Sequence, residues 1–532
     1  SENNWIIVDA GIGFPFNEFS GIELLFPNID YIISNKDKIK ALVITHSHED
    51  HIGGAIRILS NTNIPEVYAS NLTIALLNKK LEELAIKPST ELINVEPGSI
   101  KSFGDIKIEF IRTTHSVPDC YALLFETPIG NILLTGDFKF DFTPIDNEHF
   151  DIPRIVEAGN KGIKLLISDS TNVERDGFSQ SEKTVGPNLK RIFEKTPKRI
   201  FISTFSSHIH RIQQIIEAAD KAGRKVSIYG YSMEIFTQIA KETGYLNYNE
   251  NILIPINEAL ELPHEKIVII TSGSQGEPTS TFAKMANQEH KLLQVIPGDT
   301  FIFSANPIPG NERAVSKIQD SLMALGADLV YGRNEHIHVS GHASQQELKL
   351  MIALTRPEYF MPAHGDYRML VLHAEIAASM GIIPDNIFIL KNGDILDIEN
   401  KKFNVIKDFI DVNMVYYDTI SGGIVDDRTL KERTLIGQEG LILVYLILDN
   451  SLENILSLDV IFKGVTFKDN AQDESITNEI NSNIFKAFDR MKKFGTLDIN
   501  NLQTVSRDIT FKTIDNKLYC KPLIITLAKQ LN

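Results

Sequence analysis

Apolar and polar positions in this chain follow two periods, and the places where the period changes divide it into parts. Ile39-Lys40-Ala41-Leu42-Val43-Ile44-Thr45 is nearly continuous in apolar character and predicts a buried strand, with Ile52-Gly53-Gly54-Ala55-Ile56 opening a helix after it. Ile106 to Ile111 alternates in polarity and predicts a strand. Asn131 to Leu134 and Pro357 to Ala363 predict two more. Residues 1 to about 180 thus mix strands with short helices, as a layered sandwich requires. The next stretch has a more regular rhythm. Strands Lys198 to Ser203, Lys225 to Tyr229 and Lys266 to Thr271 alternate with helices Ile209 to Ala222 and Met233 to Thr243, a doubly wound pattern. Ile209, Ile212, Ile216 and Ala219 share one face of the first of those helices. After Ile398 the pattern breaks. Asp411 to Arg433, rich in Gly, Asp and Thr, reads as a linker. A small α/β unit follows, with strands Leu441 to Leu448 and Leu518 to Thr526 around a helical stripe of Ile476, Ile480, Ile484, Phe488 and Met491.

Composition narrows the class. A chain of 532 residues, 43% hydrophobic, can bury several cores, and its length suggests about three domains. No apolar run approaches the ~18–20 residues of a membrane span, and no secretory signal is visible at the start. Cys120 and Cys520 are the only cysteines, so a disulfide framework is not expected and a reducing cytoplasm is. The formal net charge of -16 argues against wrapping nucleic acid over the whole surface. It leaves room for a local channel charged by metal ions and a few basic groups.

The chemistry concentrates in His46-Ser47-His48-Glu49-Asp50-His51, at the carboxyl end of a predicted strand. Imidazole and carboxylate together suit zinc and other first-row metals. Four potential ligands on one short turn cannot all reach one ion, so two ions sharing the loop is the natural solution: His46 and His48 toward one, Asp50 and His51 toward the other. More ligands must come from elsewhere. His115, Asp137 and His364 each follow a predicted strand. Taken singly, a histidine after a strand is more often structural; as a set beside the first motif they are persuasive.

This series resembles the ligand set of the metallo-β-lactamase superfamily, with Asp9 matching its early structural aspartate. Asp169 in Leu165 to Asn172, and His342 in His338-Val339-Ser340-Gly341-His342, resemble marks of its β-CASP nuclease branch. Thr204 to Arg211, Ser272 to Pro278 and Pro307 to Asn311 are similar to ribonuclease J, an RNA maturation and decay enzyme. The resemblance runs along the whole chain and is strongest up to about Asp397. It implies an α/β fold: a metallo-β-lactamase αββα sandwich (1–180 and 347–402) interrupted by a doubly wound β-CASP domain (181–346). A linker (403–439) and a small C-terminal α/β domain (440–532) would follow. It further implies a metal-dependent 5′-to-3′ exoribonuclease that prefers 5′-monophosphate RNA and has endonuclease capability, working by two-metal hydroxide attack on the phosphodiester.

In that scheme His46, His48 and His115 hold one ion, Asp50, His51 and His364 the other, and Asp137 bridges them. Zinc is the default, with manganese or magnesium as alternatives. His342 would give the leaving 3′-oxygen its proton, oriented by Asp169, with Asp50 as a further catalytic residue; contact between His342 and a phosphate is the plainer alternative. Ser206, Ser207 and His208 stand before a helix N-terminus, a ready anion site. With His338, Val339, Ser340, Gly341 and His342 they resemble the family's RNA-binding pocket, although serines there also serve simply as helix caps. A structural calcium site at Gly21, Glu23 and Asp418 is implied, as are a homodimer or homotetramer, other RNA-decay proteins as partners and a cytoplasmic location without membrane contact. His149, His264, His290 and His373 fit no motif and read as surface or packing residues. The family opens with a strand and a glycine-rich turn before the strand of Asp9, whereas here Ser1 to Asn4 leads straight into Trp5; an N-terminal segment preceding the chain is the favoured reading. Two other classes remain open: a hydrolase of small thioesters or lactones, against which the long insertion and His342 weigh, and a non-catalytic RNA-binding subunit, against which seven competent ligand positions weigh.

Overall fold

The computed structural model describes residues 4–13, 15, 22, 24–308, 310–332, 335–399, 402–418 and 422–531. It divides into two compact units, one within 1–12 and 27–413, the other within 13–26 and 414–532. The first unit contains three principal sheets. A four-stranded parallel sheet runs Trp5–Val8, Ile39–Val43, Glu66–Ala69, Glu91–Asn94. A six-stranded mixed sheet runs Tyr359–Ala363, Ile163–Asp169, Gly130–Leu134, Cys120–Thr127, Ile106–Thr113, Ile100–Phe103. The two stack face to face. Ala41, Val43 and Tyr68 from one meet Ile108, Phe110, Tyr121 and Leu123 from the other in a single apolar core. Helices Ile152–Lys161, Gln345–Thr355 and Tyr367–Ser379 cover the outer face of the larger sheet through Leu133, Leu166 and Phe360. Helices Ala55–Asn61 and Asn71–Glu83 cover the outer face of the smaller one. The result is helix, sheet, sheet, helix: the αββα sandwich expected of the sequence.

The third sheet is five-stranded and parallel, in the order Lys225–Tyr229, Ile267–Thr271, Ile200–Ser203, Thr300–Phe303, Asp328–Val330. Its central strand is buried on both faces, with Ile200 and Ile202 in one core and Phe201 in another. That explains its unbroken apolar run, since helices cover both sides of a doubly wound sheet. The apolar pattern of the sequence shows only three of these strands.

In the second unit, Leu441–Leu448 lies between Ile455–Lys463 and Leu523–Gln530. Ile476, Ile480, Ile484, Phe488 and Met491 line the buried face of helix Asn470–Lys493. The expected strand from Leu518 begins instead at Leu523, because a helix, Ile499–Leu518, runs through Leu518 and stops at a left-handed Tyr519. Its sequence hid it: the positions it buries include Ser506, Thr510 and Thr513, which no apolar stripe reveals. The segment read as a linker, 403–439, carries strands Met414–Asp418 and Gly423–Val425 and a 13-residue helix, Asp427–Glu439, whose N-cap Asp426 accepts from the Thr429 N–H. Gly, Asp and Thr make caps and tight turns as readily as linkers, and that is their use here. Gly21 and Glu23 of the expected calcium site lie outside the described residues. Asp418 is buried and accepts from the Arg433 guanidinium at 2.8 Å.

Candidate metal centre

All the predicted ligands emerge from carboxyl ends of strands at one edge of the sandwich. Asp9 follows Trp5–Val8, and His46 follows Ile39–Val43. His115 follows Ile106–Thr113, and Asp137 follows Gly130–Leu134. Asp169 ends its strand opposite Ala363, which places it beside His364. His46, His48, His115 and Asp137 form one cluster, and Asp50, His51, Asp137 and His364 a second, with all ligand atoms of each within 4.8 Å. Asp137 belongs to both.

Hydrogen bonds on the far side of each imidazole leave its inner nitrogen bare. Asp9 is the hub of this arrangement. Its carboxylate accepts from the Thr45 N–H at 2.7 Å, the Thr45 hydroxyl at 2.9 Å and the His51 Nδ1–H at 2.7 Å. Because the Thr45 hydroxyl spends its proton on Asp9, it must accept from His46 Nδ1, 3.0 Å away. His115 Nδ1 donates to the Gly341 carbonyl at 2.8 Å, and His48 Nε2 faces the Ser116 hydroxyl at 3.3 Å. A second aspartate repeats the logic. Asp169 accepts from His342 Nδ1 at 2.9 Å and from the Thr171 hydroxyl at 2.8 Å, and that hydroxyl takes the Nδ1–H of His364 at 2.9 Å. Such outer bonds fix ring tautomer and aim, as metal-binding histidines require.

The bare nitrogens converge with no proton left to share between them. His46 Nε2 lies 3.0 Å from His48 Nδ1, and His115 Nε2 lies 3.1 Å from the same atom. Asp137 Oδ2 and His51 Nε2, 3.3 Å apart, are buried without a hydrogen-bond partner. In the first cluster such facing lone pairs repel unless a cation sits among them; in the second, a cation would take the place of the proton that Asp137 draws onto His51. Ligands ~2.0–2.1 Å from one tetrahedral ion stand roughly 3.3 Å apart. Spacing, orphaned atoms and donor chemistry all fit divalent metal ions. Burial pushes His46 and His115 well below their ordinary range and His48 down to about 4, so all three stay neutral. Burial acts the same way on His51 and His364, but the carboxylates, Asp137 foremost, outweigh it and raise them. Burial would raise Asp137, yet His364 and His51 hold it ionised.

Backbone strain sits here too. Asp9 and His364 both have left-handed φ, 59° and 53°, a conformation costing ~1–3 kcal/mol each that clusters at working sites. Gly11 and Gly341 are demanded by space: a Cβ on Gly11 would stand 1.7 Å from the Asp50 carbonyl oxygen, and one on Gly341 2.7 Å from the His115 ring.

The residues expected to meet RNA lie in the same unit. His208 is the N-cap of helix Ile209–Lys221, with no side-chain capping bond. Thus Ser206 and Ser207 are not spent as caps. Ser340 accepts from Asn172 Nδ2 at 2.7 Å, and the His342 carbonyl accepts from Asn172 at 2.9 Å and from the Ser179 hydroxyl at 2.5 Å. Sequence reasoning assigned no role to Thr45, Thr171, Asn172 or Ser179. Their neighbourhood to His46 and Asp169 was the one available signal. Of the histidines set aside, His373 and His290 are buried, and His149 and His264 are exposed.

Two histidine–aspartate clusters joined by one carboxylate, at the edge of an αββα sandwich, define a metal-dependent hydrolase of the metallo-β-lactamase class. Comparison with known proteins agrees and goes further. Residues 1–201 match the metallo-beta-lactamase superfamily and 197–322 the ribonuclease J beta-CASP domain. Residues 329–389 match the RNA specificity domain of Zn-dependent metallo-hydrolases, and 428–531 the ribonuclease J C-terminal domain. The chain is 42% identical to ribonuclease J of Synechocystis sp. over 82% of its length and 68% of that protein. It is 40% identical to ribonuclease J 1 of Streptococcus pyogenes, over 87% and 82% respectively. To ribonuclease J2 of Bacillus subtilis it is 34% identical, over 100% and 95%. The chain belongs to the ribonuclease J family and is a metal-dependent ribonuclease. No helix among the described residues is long and apolar enough to cross a membrane.

Proposed function

We propose that this ribonuclease removes nucleotides from the 5′ end of RNA, prefers a 5′-monophosphate, and also cuts internally, acting in RNA maturation and decay. The observation that carries the reading is the placement of His342. Its Nδ1 is tied to Asp169 at 2.9 Å, and its ring lies against the first histidine cluster, 4.8 Å from His115. A proton donor therefore stands beside the metal cradle, where a phosphodiester held there would present its leaving oxygen.

His46, His48, His115 and Asp137 would hold one ion, and Asp50, His51, His364 and Asp137 the other. Zinc suits this nitrogen-rich set best. When bound there, such ions would supply an activated water as nucleophile and neutralise charge on the scissile phosphate. The chain's own groups do the rest. Asp169 keeps Nδ1 of His342 occupied, so that Nε2 faces the substrate, and raises the imidazole's affinity for a proton against the effect of burial. His342 then protonates the departing 3′-oxygen. The positive end of helix Ile209–Lys221, with Ser206, Ser207 and His208 before it, would receive the terminal phosphate. Ser340 and Gly341 approach from the loop that carries His342.

The test uses RNA bearing a labelled 5′-monophosphate, with and without chelator, beside a circular RNA that offers no end. Labelled mononucleotide released only without chelator is the expected outcome, and circle opening reports internal cutting. His342→Ala should lose turnover on both while still binding RNA. Cleavage of small thioesters or lactones but not RNA, or cleavage untouched by chelator, would sink the proposal.

A further inference from the structure

Arg211 is the largest fully buried side chain among the described residues, and nothing in the chemistry above uses it. Its Nε and Nη2 donate to the two carboxylate oxygens of Glu182 at 2.6 and 2.8 Å. Its Nη1 donates to the carbonyl and hydroxyl of Ser304, at 2.8 and 2.7 Å, and to the Ile337 carbonyl at 2.7 Å. Glu182 is buried as well. It accepts from Gln214 Nε2 at 2.8 Å, and its own N–H donates to Asp141 at 3.1 Å.

A buried ion pair adds little stability over apolar groups of the same volume. A guanidinium does, however, fix direction, because its donors form a rigid planar fork. Four chain segments meet on this one: the turn at Glu182, the helix beginning at Ile209, the end of strand Thr300–Phe303, and the segment leading to His338. Two of the four frame the 5′-end pocket. His208 lies one helical turn before Arg211, with Nε2 3.5 Å from Glu182. His338 follows directly on Ile337. His208 is buried with its Nε2 turned toward Glu182, and His338, half-buried, keeps Nδ1 without a hydrogen-bond partner. His338 thus has a bond to give to an incoming anion, if its place beside His208 is held.

We infer that the Glu182–Arg211 pair is the positioning element that makes the pocket selective for a 5′-monophosphate, by holding His208 and the Ile337–His338 segment at one separation. The pair itself does not touch RNA. The inference rests on the reading that Ser206 to His208 and His338 to Gly341 receive the terminal phosphate.

The experiment measures KM and kcat for 5′-monophosphorylated and 5′-hydroxyl RNA of one sequence, together with melting temperature. It uses the parent, Arg211→Lys (charge kept, fork lost), Glu182→Gln (shape kept, charge lost) and Ser207→Ala. For the Arg211 and Glu182 variants, KM for the monophosphorylated RNA should rise about tenfold or more, the scale of one lost charge-assisted hydrogen bond. KM for the hydroxyl RNA and kcat for both should stay within about twofold, so that end preference collapses. Should either variant fail to fold, Ser304→Ala removes one acceptor of Arg211 and one donor to the Ile337 carbonyl, and should move KM the same way by a smaller factor. Equal loss on both substrates, or unchanged preference in folded variants, overturns the inference. A parent without end preference defeats the pocket reading itself. Preference lost in Ser207→Ala but kept in the Arg211 and Glu182 variants leaves the pocket standing and removes only the positioning role.

Discussion

Replacing Asp9 with Asn changes one atom and should weaken metal binding at both clusters. All three groups facing the carboxylate are donors: the Thr45 N–H on Oδ1, the Thr45 hydroxyl and His51 Nδ1–H on Oδ2. An amide offers one oxygen, so whichever way it turns its NH2 confronts at least one donor. The direct bond to His51 is charge-assisted, worth ~1.5–3 kcal/mol. The path to His46 runs through the Thr45 hydroxyl, which frees a lone pair for His46 Nδ1 only while its proton goes to Asp9. Disturbing outer partners of ligating histidines typically costs 10–100-fold in affinity, about 1.4–2.7 kcal/mol. Asp9→Asn should therefore lose roughly 10–100-fold for each ion, measured by zinc titration against a competing chelator. Thr45→Val, which cuts only the branch to His46, should weaken one ion and spare the other. Both ions binding Asp9→Asn within twofold of the parent would refute the relay.

Two further predictions come from packing. Gly341→Ala should cut turnover by about a hundredfold or more, because its Cβ must displace the His115 ring from 2.7 Å, and misplacement by ~1 Å carries such a cost; parent-like kcat in a folded variant would mean the loop yields freely. His373 is fully buried against Phe360, and burial brings it down to about 4. Its folded value thus lies below the unfolded ~6.5, so the unfolded chain binds the extra proton and stability falls as pH drops from 6.5 toward about 4. His373→Asn should lose less stability than the parent across that window, by roughly 3 kcal/mol at the acid end. Parallel melting-temperature profiles for the two would contradict this.

Legibility in the sequence followed burial geometry. Strand Leu441–Leu448 was read to the residue because it is an unbroken apolar run between Gly440 and Asp449, although only alternate positions are buried. The helix beginning at Ile209 announced itself by an apolar stripe. Strand Asp328–Val330 is short and half-exposed, and helix Ile499–Leu518 buries threonine and serine, so neither left a pattern to read. The candidate ligand cluster was legible because metal chemistry permits few residue types. Thr45, Thr171 and Glu182 were not, because a hydroxyl or carboxylate earns a role only through what stands opposite it.

Residue identity and order by themselves determined that a divalent-metal site, a β-CASP-type insertion and an RNA substrate class belong together here. His46 to His51, His115, Asp137 and His364 are side chains whose chemistry is intrinsic. Only the tertiary structure decided how they are aimed. Asp9 and Asp169 each organise two histidines, one directly and one through a threonine, and Arg211 draws four distant segments onto one guanidinium. Hydrogen bonds across 36, 193 or 126 residues of chain leave no periodic trace. They come into being only when folding closes those loops and excludes the water that would otherwise compete for the same donors.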